Sequence, residues 1–468
     1  MKGIHRMAGL MRTPGLYKSE YKTLVKLGVP VMVTQLGIIV VSFADTIMVG
    51  RCGTRELGAA AFVNSIFMVA TVMQLGFANG LTPLIGALFS QGDTDRTRLM
   101  MRAGVISNLL LSSVFTLFLG GLYFFLDRLG QPAELMQLVR PYYLIMLSTL
   151  LPMALFNAFQ QSSNGCTDTA TPMWIIICTN VLNIFGNWLL IGGEAGFPRL
   201  GLAGAGISTM IARYVGMFSI VAVYLISRKR RVYLSGWRSD GRDVLKKDML
   251  RVWLTSYPVM IQSGIECFLW SFGGVVCGWF GTIQLASYQV ILTISQLGFM
   301  IYMGFGVATS IRVANLTGLK DFTAVRRTAV AGLHLILLLA TVASLFFYFC
   351  TDGLVRIFTP DRFVELAALP LIAPLILYQY CDAIQITYAN ALRGTSEVKP
   401  LLWVAVLAYI VVGVPAMLLL AKSMNFGNVG VYYSFSVALL VASVGLWWSF
   451  RRAVRKLSLS STANRGIF

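Results

Sequence analysis

Twelve long, nearly unbroken apolar runs leave this chain one environment in which to fold. They lie at 24–49, 57–90, 99–125, 138–163, 170–192 and 202–227, and again at 250–278, 284–317, 326–349, 366–392, 400–421 and 429–450. A helix of about twenty apolar residues crosses the hydrocarbon of a bilayer, and every run reaches that length. Transmembrane β-strands would instead alternate polar and apolar residues over about ten positions. Only 12% of residues are charged, against about a quarter in an average soluble domain. The expected fold is an all-α integral membrane protein with twelve transmembrane helices in two pseudo-symmetric six-helix lobes.

The formal charge of +19 is not the footprint of a nucleic-acid binder, because of where it sits. Lys2, Arg6, Arg12, Lys18, Lys22 and Lys26 precede or open the first run. A basic stretch from Arg228 to Arg251 divides the chain near its middle, and Arg451, Arg452, Arg455 and Lys456 follow the last run. An even number of crossings puts all three stretches on one side, and the positive-inside rule makes that side the cytoplasm. The expected organisation is a cytoplasmic tail (1–23), an N-lobe (24–227), a basic cytoplasmic linker (228–250), a C-lobe (251–450) and a second cytoplasmic tail (451–468). The first run is too long for a cleavable leader and follows a basic tail, so it is expected to act as an uncleaved insertion signal. Seven cysteines without CxxC spacing point to neither a disulfide framework nor a metal site.

The two halves repeat. Laid on itself so that Pro30-Val31-Met32 meets Pro258-Val259-Met260, the sequence pairs Gly50, Gly53, Thr54 and Leu57 with Gly278, Gly281, Thr282 and Leu285. The same register pairs Gly76-Phe77 with Gly304-Phe305, Asp93 with Asp321, Arg98 with Arg326 and Ala103-Gly104 with Ala331-Gly332. Further on, Pro172 again meets Pro400 in that register. Shared Pro, Gly, Asp and Arg are not products of membrane composition, so one six-helix fold is used twice in parallel orientation, an architecture suited to alternating access. Pro30 and Pro258 occupy equivalent places in the first helix of each half, where a missing backbone N–H permits a bend.

Three of the nineteen acidic residues fall inside apolar runs: Asp45 in the first, Glu266 in the seventh and Asp382 in the tenth. The rest fall in loops, tails or helix ends. An acid at mid-membrane costs about 3 kcal/mol to insert, and such residues normally line ion or proton pathways. Helical spacing surrounds them with polar groups: Tyr378, Gln379 and Gln385 beside Asp382, Gln262 and Ser263 beside Glu266, Thr34 and Ser42 beside Asp45. Asn183 and Asn187 stand one turn apart in the fifth run. Such stripes must face protein or water, since lipid offers no partner. The acids are not shared by the repeat, because Asp45 meets Gly273 and Glu266 meets Ile38. Each half therefore carries its own binding chemistry. A carboxylate so placed exchanges a proton or, with amide and hydroxyl oxygens, holds an alkali cation. A cationic substrate competing for the same charge yields antiport.

The stretch Ser42-Phe43-Ala44-Asp45-Thr46-Ile47-Met48-Val49-Gly50 resembles the end of helix 1 in multidrug and toxic compound extrusion (MATE) transporters. Gly165-Cys166-Thr167-Asp168-Thr169-Ala170-Thr171-Pro172, and Ala391-Leu392-Arg393-Gly394 with Pro400, resemble that family's paired cytoplasmic loops. Leu182-Asn183-Ile184-Phe185-Gly186-Asn187-Trp188 is similar to its helix 5 pattern. The resemblance, to the NorM-like branch, spans roughly residues 20–450. It implies a V-shaped twelve-helix antiporter exporting organic cations and lipophilic drugs in exchange for Na+ or H+. Carried over, Glu266 and Asp382 bind the coupling cation, Na+ included, with Tyr378 and Phe299 alongside. Asp45, Asn183 and Asn187 form an N-lobe site for proton or substrate. Asn187 stands where some relatives carry an acid, and Tyr288 where many carry histidine.

No cofactor beyond the coupling ion is expected, and no nucleic-acid partner. The expected partners are small cationic or amphipathic molecules and membrane lipids, with the chain a monomer in the plasma (bacterial inner) membrane. A lipid-linked oligosaccharide flippase would require a basic cavity for pyrophosphate, whereas the charges inside these runs are mostly acidic, Arg213 excepted. An intramembrane enzyme is disfavoured. The histidines are His5 in the tail and His334 alone in the ninth run, with no HExxH and no nucleophile–base pair.

Overall fold

The computed structural model describes residues 14–234, 242–358 and 361–463. Among these, twelve helices are long and apolar enough to cross a membrane. They are α1 (Tyr17–Gly50), α2 (Thr54–Ser90), α3 (Thr94–Leu129), α4 (Glu134–Gly165), α5 (Ala170–Gly192) and α6 (Gly201–Ile226). The second set is α7 (Asp243–Gly278), α8 (Thr282–Gly318), α9 (Phe322–Phe349), α10 (Arg362–Gly394), α11 (Lys399–Ser423) and α12 (Gly427–Leu459). Each matches one apolar run, and the described residues contain no strand.

The ends differ from the runs in an instructive way. Helix begins at Pro14 and at Arg242 and continues to Ala463, so much of what reads as tail or linker is helix carried past the lipid on basic residues. Lys2, His5, Arg6 and Arg12, together with parts of the 228–250 linker and of the 451–468 tail, lie outside the described residues. Two runs are also interrupted. In α2 the helix breaks at Gly80, and in α4 at Thr149. In α11 the backbone widens into π-helix over Val406–Gly413 and again over Leu419–Ser423, a departure that often marks functional segments.

The repeat is visible in the backbone. Gly53 and Gly281 precede α2 and α8 with φ of 152° and 113°, values that an L side chain resists. Asp93 and Asp321 cap α3 and α9 alike, each accepting from the backbone N–H three residues on at 2.9 Å. Thr167 and Ser396 adopt φ of 62° and 60° in the loops before α5 and α11.

Two compact units result. One is Val33–Cys267; the other joins the chain up to Met32 with Phe268 onward. The unit boundaries fall inside α1 and α7. Within the terminal unit, Gly304 of α8 lies so close to α1 that a β-carbon there would stand 2.5 Å from the Met32 nitrogen. Within the central unit, a β-carbon at Gly76 of α2 would come 3.1 Å from Met260 Cα of α7. The repeat pairs Gly76 with Gly304 and Met32 with Met260. The first helix of each half is thus gripped by the second helix of the other half.

Buried ion pairs secure the same segments. Glu20 of α1 accepts from Arg312 Nε at 3.0 Å and Nη2 at 3.2 Å, and from the Thr328 hydroxyl at 3.0 Å. At the repeat-equivalent position in α7, buried Asp248 accepts from Arg96 at 3.1 Å. The sequence reading leaves both acids in tail or linker, because their burial depends on arginines far along the chain.

Apolar packing fills both units. In the central unit Phe67, Tyr143, Met146 and Ile191 form one cluster, and Phe77, Leu81, Ile85 and Met100 another. In the terminal unit Tyr302, Phe305, Ile336 and Ala383 pack together. Leu117, Phe118, Phe349 and Trp403 are exposed, as lipid-facing side chains are.

Candidate functional site

In the terminal unit the site is built on α10 and α8. Asp382 is 1% exposed and Tyr302 fully buried. The Tyr302 hydroxyl donates to Asp382 Oδ2 at 2.6 Å, so this carboxylate, placed among apolar helices, has a fixed partner. Tyr378 lies one turn before Asp382, with Trp270 of α7 edge-on to its ring at 5.2 Å. Phe299 packs edge-on against Tyr302 at 6.0 Å.

The polar stripe of α10 is tied to its neighbours. Gln379 donates to the Ser295 carbonyl at 3.3 Å, and Gln385 to the Tyr409 hydroxyl at 3.2 Å. Tyr409 belongs to the π-helical stretch of α11. Asp382, Tyr378 and Phe299 are therefore brought together, Phe299 by way of Tyr302. Sequence reasoning missed Tyr302 and Tyr409. The available signal for Tyr302 was its place one turn from Phe299; for Tyr409 it was the Gly413-Val414-Pro415 punctuation that follows.

Glu266 is half-buried on α7 and belongs to the Val33–Cys267 unit, whereas Asp382 belongs to the other. Its neighbour Ser263 bonds back to the Val259 carbonyl at 3.0 Å and lies against Gly76 of α2. Tyr288, buried on α8, donates to the Trp270 carbonyl at 2.7 Å and packs against Tyr432 and Phe435. It holds α8 against α7.

In the central unit the fifth-helix amides meet the first-helix acid. Asn187, fully buried, donates to Asp45 Oδ1. Asn183, with its amide nitrogen turned toward the acid, donates to the same oxygen at 3.0 Å and accepts from the Thr209 hydroxyl at 3.2 Å. Ser208 donates to the Asn183 carbonyl at 2.7 Å, fixing α6 on α5. Asp45, Asn183 and Asn187 are thus joined by hydrogen bonds.

Arg213, one turn beyond Thr209 on α6, donates from Nη1 to Thr149 Oγ1 at 2.5 Å, at the break in α4. Tyr142 of α4 is buried in the same unit. Tyr142 in turn donates to Asn64 at 3.4 Å. The arrangement can hold a small cation or a protonated carboxyl in either unit.

Comparison with known proteins follows the same outline. The MatE family model matches residues 30–189 and 258–419, two segments that start at the Pro30 and Pro258 of the repeat. The probable multidrug resistance protein NorM of Bradyrhizobium diazoefficiens is 27% identical over 455 residues, covering 94% of each chain. The multidrug resistance protein NorM of Photobacterium profundum is 25% identical over 401 residues, 85% of this chain and 87% of that one. Among solved structures, a mutant of the Vibrio cholerae MATE transporter VcmN superposes with a TM-score of 0.86 at 18% identity, covering 95% of this chain and all of that one. A MOP superfamily transporter from Pyrococcus furiosus superposes at 0.84 and 19% identity, covering 94% and 96%. At such identities the structures establish a common fold.

Proposed function

The chain belongs to the MatE (multidrug and toxic compound extrusion) family, and on that premise we propose that this multidrug efflux transporter is a secondary active antiporter. It exports organic cations and lipophilic drugs in exchange for Na+ or H+, by alternating access of an N-lobe (24–227) and a C-lobe (251–450). It is a multi-pass membrane protein and not an enzyme. Its basic stretches orient both termini to the cytoplasm of the plasma membrane, and it works as a monomer among lipids.

The observation that carries the reading is the Tyr302–Asp382 pair, a carboxylate and a phenol sealed among membrane-spanning helices. Fold stability alone would favour an apolar pair there, since intramembrane acids are costly. Asp382 and Glu266 are assigned to the coupling cation, with Tyr378 and Phe299 enclosing Asp382. Asp45 with Asn183 and Asn187 is assigned to proton or cargo in the N-lobe. Pro30 and Pro258 supply the bends; Pro30 stands just before α1 passes from one compact unit to the other.

The test is efflux of a fluorescent organic cation from proteoliposomes under separate Na+ and pH gradients. Asp382→Asn and Glu266→Gln should each lose gradient-driven transport about ten-fold or more, corresponding to about 1.4 kcal/mol. Unchanged transport in both variants would sink the assignment.

A further inference from the structure

The outward face of α1 carries a row of charge that the transport reading leaves unused. Lys18, Lys22 and Lys26 follow at four-residue spacing, so they share one face of the helix, and all three are exposed. Glu20, the one acid between Tyr17 and Lys26, is buried and accepts from Arg312 and Thr328 instead. Val25 and Val29 continue the lysine face toward the apolar run, and both are exposed. The face is thus basic at its outer end and apolar one turn deeper.

An aromatic group flanks the row. The Tyr21 hydroxyl and His334 Nδ1 of α9 are hydrogen-bonded at 2.8 Å, and the rings of Tyr17, Tyr21 and His334 stand 6.2–6.5 Å from one another. Amphipathic rings of this kind sit at headgroup level. The other half of the repeat lacks the feature. Its register pairs Lys18 with Lys246 of α7, but Lys22 and Lys26 with Leu250 and Leu254, which are exposed apolar side chains. It pairs Tyr21 with Met249 and His334 with Ile106; Lys247 and Arg251 of α7 stand off the row. Helix orientation needs only basic residues near the ends, so an aligned row beside polar rings, in one half alone, calls for an occupant.

We propose that this face of α1, with Tyr17, Tyr21 and His334 beside it, is a binding surface for an anionic phospholipid. The phosphate lies on Lys22 and Lys26, Lys18 meets the outer part of the headgroup, and an acyl chain runs along Val25 and Val29. Basic side chains beside a membrane attract anionic headgroups, and lysine keeps its ammonium at that level while its stem lies along apolar chains. The surface stands apart from the antiport reading, because holding a lipid needs neither cargo nor an ion gradient.

Lipid competition tests the assignment. The full chain, purified in detergent and stripped of lipid, is offered phosphatidylglycerol and phosphatidylcholine in equal amounts with the same acyl chains. Native mass spectrometry then counts the lipids each protein molecule retains. The wild type should favour phosphatidylglycerol about ten-fold. Lys22→Leu with Lys26→Leu, which writes the α7 residues into α1, should bring the two lipids near parity. Lys246→Gln with Lys247→Gln removes the same charge from α7 and should leave the preference as it was. A wild type that holds both lipids alike overturns the proposal. So does a Lys22, Lys26 double variant that keeps the preference, or an α7 double variant that loses it equally, since the attraction would then be diffuse. Should the leucine pair fail to fold, Lys22→Gln with Lys26→Gln carries the same test.

Discussion

Tyr302 and Asp382 form one hydrogen-bonded pair across α8 and α10, 2.6 Å from oxygen to oxygen and closed to solvent. The phenol fixes which way the carboxylate points and supplies a further oxygen beside it. Hydrogen bonds to charged groups contribute about 1.5–3 kcal/mol. Tyr302→Phe should therefore raise the half-saturating concentration of the coupling cation about ten-fold or more, with the helices intact. Transport measured against graded Na+ and against graded pH checks this. An unaltered dependence on both ions would detach Tyr302 from the site.

The glycine contacts predict a stability order. At Gly304 a β-carbon would meet the Met32 backbone, and at Gly76 it would meet Ser263 and the Met260 backbone. Backbone cannot yield as a flexible side chain does, and overpacking of this kind costs about 1–3 kcal/mol. Gly304→Ala and Gly76→Ala should each lower the melting temperature in detergent. Gly121→Ala, where nothing lies within 4 Å, should leave it unchanged or raise it, since Ala is the better helix former. Three equal melting temperatures would contradict the close crossing.

The outline of the site could be read from the sequence because charge inside an apolar run has few innocent explanations. Asp45 and Asp382 stood out on that ground, and the one-turn spacing of Asn183 and Asn187 put both amides on a single face. Tyr302 did not stand out, since a tyrosine in an apolar helix is ordinary until its hydroxyl is given a partner. Arg213 showed as a charge without a neighbour; its bond to Thr149 requires α6 to lie against α4. Helix ends failed for a related reason. Glu20 and Asp248 read as solvated because Arg312 and Arg96, which bury them, are remote in sequence. Hydropathy locates helices well and says little about which neighbour each one grips, so the division of α1 and α7 between two units was not legible.

Those ion pairs make a third prediction. Removing one partner of a buried pair costs about 3–5 kcal/mol, whereas replacing both with apolar groups is often neutral or stabilising. Glu20 has two bonds from Arg312 and one from Thr328, so Arg312→Met should strongly lower thermal stability. The double variant Glu20→Leu with Arg312→Met should recover much of the loss. Arg96→Met should cost less, because Arg96 is 39% exposed and water already screens its bond to Asp248. Melting temperatures of the three variants decide it, and a double variant no better than Arg312→Met alone would refute the coupling.

A last prediction concerns Cys166, in the loop between α4 and α5. Burial pushes its thiol up to about 12, with Asp168 adding to the effect while Arg230 and Tyr233 oppose it. The surroundings are tightly tied: Arg230 pairs with Asp168, donates to Thr171 at 2.7 Å and lies over the Tyr224 ring. A thiol ionising that high stays protonated through neutral pH, and only the thiolate attacks an electrophile. At pH 8 its thiolate fraction is lower than an ordinary cysteine's by more than about a thousand-fold. Single-cysteine variants treated with maleimide at pH 8 should label readily at exposed Cys350 and scarcely at Cys166. The difference should vanish once detergent denaturation admits water to the loop. Fast labelling of Cys166 in the folded protein would mean that this loop is open to solvent, and that the Arg230–Asp168 pair does not hold it shut.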